Sequence, residues 1–439
     1  MNNSPPRSID LRAVLLLAGA MFCPGVSRAQ SYEEPPINYA RAPADDPITR
    51  LQALLDAGQR TLDFDPDRGY LPALLRALEI PASSQVLVFS KTSFQQKQIS
   101  PRTPRALYFS DDVYIGWVQG GDVMEIAAAD PQQGATFYTL RQKLAESPKF
   151  TRHTHDCLQC HESSLTRGYP GHLVRSVYPD EGGFPVLAGG SFVTDHTSPL
   201  RERWGGWYVT GTHGSQRHMG NAIVADRDRP EELDVQQGAN LTDLSKLFPT
   251  TPYLTPHSDL VALLVLEHQT QIHNQLTACN FSARLALRDN AVICGMMDRP
   301  PDELTESTQR RLSQAAERLL EWMLLCDETP LQGPLAGTTG FAREFAGRGP
   351  RDARGRSLRD LDLGRRLFRY PCSYLIYSEA FDGLPAQVKE VFYRRLWEVV
   401  TGRDETPRFA HLSDADRQAI LEILGDTRSG LPDYWSADS

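Results

Sequence analysis

Leu71, Leu74, Leu75 and Leu78 recur at helical spacing, and with the stretch from Asp46 to Ala57 they predict two short amphipathic helices. From Gln85 the period shortens to two. Val86 to Phe89, Ala106 to Phe109, Val113 to Val118, Val123 to Ala127 and Thr136 to Leu140 read as strands, and Asp111-Asp112, Gly120-Gly121 and Pro131 to Gly134 supply the turns of an antiparallel meander. Further strand candidates follow at 190–194 and 205–210. After about Asp226 the helical period returns. Ser258-Asp259 can cap a long helix running to about Leu287, apolar nearly all round in its first half and therefore buried. Thr305 opens a second, with Leu312, Ala316, Leu319, Leu320, Met323 and Leu324 on one face; a third spans Pro385 to Val400. A fourth, Asp414 to Leu424, follows a capping box of Ser413 and Asp416. The pattern predicts an α+β chain, mainly helical, with the meander between helical N- and C-terminal parts.

The first thirty residues follow neither period. Arg7 and Arg12 precede the apolar run Ala13 to Phe22, Pro24-Gly25 ends it, and Ser27 and Ala29 stand at the minus-three and minus-one positions of a cleavage site. This is the pattern of a secretory signal peptide over residues 1–29. A membrane anchor needs about 20 continuous apolar residues, and Phe22 before Cys23 is too bulky for a lipid-attachment site. Residues 30–45 are polar and proline-rich, an expected extended arm. The rest divides into an N-terminal helical and β-rich region (46–225), a helical region (226–346), a Gly- and Arg-rich linker (347–355) and a C-terminal helical region (356–439). The longest later apolar run, Leu260 to Leu266, stops at Glu267, so no transmembrane segment is expected in the mature chain. The expected location is the periplasm or another exported compartment, soluble after cleavage. Lys and Arg number 46 against 55 Asp and Glu, a net charge of −9, which gives no basic footprint for nucleic acid or an anionic membrane.

Export places the remaining cysteines, Cys157, Cys160, Cys279, Cys294, Cys326 and Cys372, where disulfides persist. Cys157-Leu158-Gln159-Cys160-His161 has the spacing for covalent haem c: two thiols three positions apart add to the two vinyl groups, and the next residue offers its imidazole to the iron. Two other chemistries use the same residues. A thioredoxin-like dithiol would open a helix after a strand in a βαβ unit, and a zinc site would recruit His153 and His155. For the other four cysteines two readings stand equally: disulfides pairing 279–294 with 326–372, and buried free thiols.

One tethered histidine leaves one iron position, and its occupant separates electron transfer from catalysis. Met219 follows His161 at a separation similar to that in small soluble cytochromes c, and methionine would raise the potential relative to histidine. His213 and His218 share its loop. His268 and His273 lie on the long helix about 140° apart, so at most one of them addresses a given metal. Glu267 can orient a neighbouring imidazole. Trp204, Trp207 and Tyr208 are candidates for packing on a porphyrin, and Arg175 or Arg217 for its propionates.

At Cys157 to His161 the chain resembles c-type cytochromes in general, a likeness confined to the attachment site and one ligand. More widely, Arg105-Ala106-Leu107-Tyr108-Phe109-Ser110-Asp111-Asp112-Val113-Tyr114, the run Trp204 to Gly214 and the tail Leu431-Pro432-Asp433-Tyr434-Trp435 are similar to a family of exported bacterial proteins labelled cytochrome c domain-containing. The resemblance implies one covalent haem and no particular reaction. Size and a β-rich flank set the chain apart from the compact small cytochrome c fold. The expectation is therefore an exported monohaem c-type protein acting in electron transfer with a redox partner protein or small molecule. The rivals are a peroxidase- or oxidase-like haem enzyme with His213 or His268 as acid/base, and a haem-based sensor.

Overall fold

The computed structural model describes residues 32–404 and 406–435; the signal peptide expected over residues 1–29 lies outside them. The meander forms as the period-two pattern predicts. Strands β1 (Val86–Val88), β2 (Arg105–Phe109), β3 (Val113–Trp117), β4 (Val123–Asp130), β5 (Gly134–Arg141) and β6 (Phe150–Arg152) lie side by side in chain order. Every pairing is antiparallel. One face, carrying Tyr108, Ile115, Trp117, Met124, Ile126 and Leu140, is buried beneath α1 (Pro47–Asp56) and α2 (Leu71–Ala77). Asp46 caps α1 by accepting from the Ile48 and Thr49 N–H groups.

Where the proline-rich composition suggests an extended arm, residues 32–45 make a series of turns. Tyr32, Ile37 and Tyr39 drive this: they bury themselves against Ala135, Phe137, Leu158, Phe281 and Leu285. The short helix α3 (Leu158–His161) follows β6 and carries the end of the CxxCH motif. Beyond it, β7 (Arg175–Val177) and β8 (Ser191–Val193) form a hairpin, β9 (Trp207–Tyr208) adds to the sheet beside β1, and β10 (Gly211–Thr212) leads towards the long helix.

That helix, α4 (Leu260–Met296), is the axis of the molecule. Asp259 caps it, and the side chains from Leu260 to Phe281 are buried without interruption. It runs on past Leu287, where the periodicity predicts its end, and there the buried Asn290 turns its amide onto the carbonyls of Pro301 and Glu303. α5 (Glu306–Met323) packs along α4, β11 (Ala336–Gly337) pairs with β10, and α6 (Phe341–Gly347), α7 (Glu379–Asp382), α8 (Ala386–Val400) and α9 (Asp414–Thr427) complete the C-terminal half. The capping box at Ser413 and Asp416 is present. Helical residues outnumber strand residues, and among the described residues no helix is long and apolar enough to cross a membrane.

Of the two cysteine readings the structure takes the free one: all six described cysteines are unpaired. Cys279 and Cys294 stand on the same unbroken helix. At 1.5 Å per residue they are separated by about 22 Å along its axis, far beyond disulfide reach. Cys326 and Cys372 are buried separately, the Cys326 thiol facing the Arg408 carbonyl at 3.6 Å.

Candidate functional site

Cys157 precedes α3 and is half-buried, Cys160 is exposed on it, and His161 ends it. The helix is held from two sides. Leu158 packs into the aromatic cluster of Tyr39 and Phe137, and Tyr32 donates its hydroxyl to Glu162 at 2.6 Å. On the other side His161 is strapped to Gly171. The Gly171 N–H donates to the His161 carbonyl at 2.9 Å, and His161 Nδ1 lies 2.9 Å from the Gly171 carbonyl. A carbonyl can only accept, so the imidazole proton sits on Nδ1 and Nε2 carries the lone pair. Burial pushes the His161 pKa down and keeps the ring neutral. Its ring packs at a tilt against Phe137, ring centroids 4.7 Å apart.

Beside the motif the sheet is only partly covered. On the face opposite α1 and α2, Leu107, Ala127 and Thr139 are half-buried, whereas their alternating neighbours Tyr108, Ile126 and Tyr138 are buried. Across this strip Arg105 pairs with Glu125 at 2.7 Å, the two side chains 19% and 14% exposed. Gly116 makes room, since a Cβ there would overlap the Arg105 guanidinium. Both charges act on Cys157 and His161. Ser93, in the loop after β1, donates to Glu125 at 3.1 Å.

The remaining sequence candidates fall into separate groups. His273 Nε2 donates to the Asp111 carbonyl at 2.8 Å and its ring stands 5.8 Å from that of His172, a residue the sequence reading passed over. His172 also packs on Tyr114 at 4.6 Å. His268 turns elsewhere, to Ser373 at 2.8 Å and to the rings of Phe368 and His196. Met219 is buried, its sulfur accepting from the Ser176 hydroxyl at 3.6 Å. His213 and His218 pack on each other at 4.7 Å, and Trp204 on His218 at 5.2 Å. Trp207 donates to the Arg175 carbonyl and Tyr208 to that of Pro101, so both are tied into the sheet end. Arg175 bonds Ser191 and Arg217 bonds Gln236. The structure thus brings together His161, His172 and His273, with Arg105 and Glu125 beside the motif. The hydrogen bonds and ring contacts of Met219, His268 and His273 all go to residues outside the Cys157 to His161 segment.

Two alternative chemistries find little support in this geometry. A redox dithiol needs a lowered thiol pKa, whereas burial together with Glu125 and Asp156 pushes the Cys157 thiol up to about 12. His153, the first of the candidate zinc ligands, bonds Thr139 at 2.9 Å, and among the described residues no group of three or more His, Cys, Asp or Glu side chains is placed to hold a metal ion. A covalently tethered haem asks for less: two free thiols and one neutral imidazole with an available nitrogen. Cys157, Cys160 and His161 meet those terms. No protein-family model, curated protein or solved structure matches the chain.

Proposed function

We propose that this chain is an exported monohaem c-type cytochrome that acts in electron transfer, with Cys157 and Cys160 holding the haem covalently and His161 binding its iron. The observation that carries the reading is the bond from His161 Nδ1 to the Gly171 carbonyl, which leaves Nε2 as the available donor. When bound, the haem supplies one-electron redox chemistry at its iron. The chain's own residues supply the setting. Leu107, Ala127 and Phe137 offer an apolar bed next to the motif, and Arg105, acting on both Cys157 and His161, is the cation it offers to an acidic porphyrin edge. Residues 1–29 direct export, and an antiparallel meander flanks the site in place of the compact helical body of a small cytochrome.

A second reading, a haem enzyme with an open iron position, is favoured by one observation. Met219, His268 and His273 already spend their contacts elsewhere in the fold.

Production in a host with working cytochrome maturation tests the attachment. Intact mass should show one added haem, lost in Cys157→Ser with Cys160→Ser, and His161→Ala should alter the spectrum of whatever haem remains. Colourless protein with the mass of the polypeptide alone would end the proposal. Adding carbon monoxide to the reduced protein then separates closed from open iron: an unchanged spectrum fits electron transfer, and a shifted one fits the open position of an enzyme or a sensor.

A further inference from the structure

We infer that Asn274, in the middle of α4, is a positioning residue for His161: it fixes the carbonyl that receives the His161 Nδ1 proton, and so sets how strongly the imidazole donates to iron. The inference rests on the haem reading above. Asn274 Oδ1 accepts the His172 N–H at 2.8 Å, and Asn274 Nδ2 donates to the His172 carbonyl at 2.8 Å. One buried amide therefore takes both backbone groups of the residue next to Gly171. Gly171 in turn makes both of its backbone bonds to His161. One position along the helix, Gln275 accepts from Arg167 at 2.7 Å and ties down the other end of the same loop.

The fit is close. A Cβ on Gly171 would stand 2.6 Å from Asn274 Oδ1 and 3.0 Å from Thr166, so glycine is what allows the loop to lie this near the helix. The helix itself is buried on all sides at this level, so Asn274 presents a fixed template. A firm Nδ1–H to carbonyl bond pushes electron density onto the ring and makes Nε2 the better donor, which favours the higher oxidation state of a bound iron. Loosening the carbonyl should favour the lower one.

The test compares haem-loaded wild type, Asn274→Ala and Gly171→Ala, with loading checked by intact mass, folding by thermal unfolding, and midpoint potential by spectroelectrochemical titration. Both substitutions are neutral and leave Cys157, Cys160 and His161 in place. The expected result is full covalent loading and a more positive potential in each, by about tenfold in the reduction equilibrium constant, or 59 mV for one electron. An unchanged or more negative potential in loaded Asn274→Ala overturns the role of Asn274. If that variant fails to fold, the same result in Gly171→Ala overturns it. Wild type that carries no haem overturns the haem reading instead, so the two failures are distinct.

Discussion

Arg203 and Glu267 form the most deeply buried ion pair described, at 3.0 Å with side chains 6% and 1% exposed. Burial raises the Glu267 carboxyl to about 7 in spite of the guanidinium and the Thr194 hydroxyl, which both favour its charged form. Removing the cation strands that carboxylate. Arg203→Met should therefore cost on the order of 3–5 kcal/mol of unfolding free energy in urea. Glu267→Gln should cost clearly less, because Arg203 retains the His196 and Ser198 carbonyls. Equal losses in the two variants would show that the pair is not what holds this part of the core. Glu267 is legible in the sequence as a polar residue in a buried helix that must find a partner. Arg203 is not, since nothing in its local sequence marks it as that partner. His172 has no motif or periodic face to mark it, and Arg105, although it opens a segment quoted for the resemblance, carries no local sign of a role at His161; their place beside His161 comes from strand register and loop docking.

Helix α4 collects these contacts. Between Glu267 and Asn280 its buried polar side chains reach different neighbours: Gln269 bonds Tyr114 and Tyr374, His273 the Asp111 carbonyl, Asn274 the His172 backbone, and Asn280 the carbonyls of Pro131 and Gly383. The sheet, the motif loop and the C-terminal helices are thus keyed to one element. Its cap has a double task. Asp259 Oδ1 accepts from the Val261 and Ala262 N–H groups, and Oδ2 from the Thr338 and Thr339 N–H groups and the Thr339 hydroxyl. A lone cap is worth about 1 kcal/mol, and stranded buried donors cost about 1–3 kcal/mol more. Asp259→Ala should therefore lose roughly 2–4 kcal/mol in denaturant unfolding. Asp259→Ser, which can restore the helix cap alone, should fall between that variant and wild type; a loss as small as an ordinary cap would show that the Thr338-Thr339 strap carries no weight.

Acid sensitivity belongs to the assembled protein. Burial pushes His196 down to about 4 and His218 to about 3, and lowers His172, His213, His268, His273 and His411 as well. The unfolded chain takes up these protons from about pH 6.5 downwards and the folded chain does not. Stability is then complete above about pH 6.5 and is lost as the pH falls towards 4, by about 1.4 kcal/mol per pH unit for each of His196 and His218, with the other lowered histidines acting in the same sense. Asp112, Glu267 and Glu328, raised to about 7 by burial, act in the opposite sense, since the folded state protonates first. The histidines outnumber them, so the midpoint of thermal unfolding should fall steadily between pH 6.5 and 4. A flat profile over that range would mean that these imidazoles are not buried in the neutral form.

The meander, the caps of α1, α4 and α9, the buried first half of α4 and the CxxCH motif are local properties of the chain. Each depends on periodicity, turn chemistry or spacing within a few residues, so the amino-acid order suffices to specify them. Folding supplied what depends on segments far apart in the chain. It carried α4 past Leu287, with the Asn290 amide bonded to the carbonyls of Pro301 and Glu303 just beyond the helix, and so kept Cys279 and Cys294 apart on one continuous helix. It also set Gly171, Asn274, Arg105 and Glu125 around His161. Those arrangements arise from long-range packing of a loop, a sheet edge and a helix, whose distances no spacing along the chain encodes.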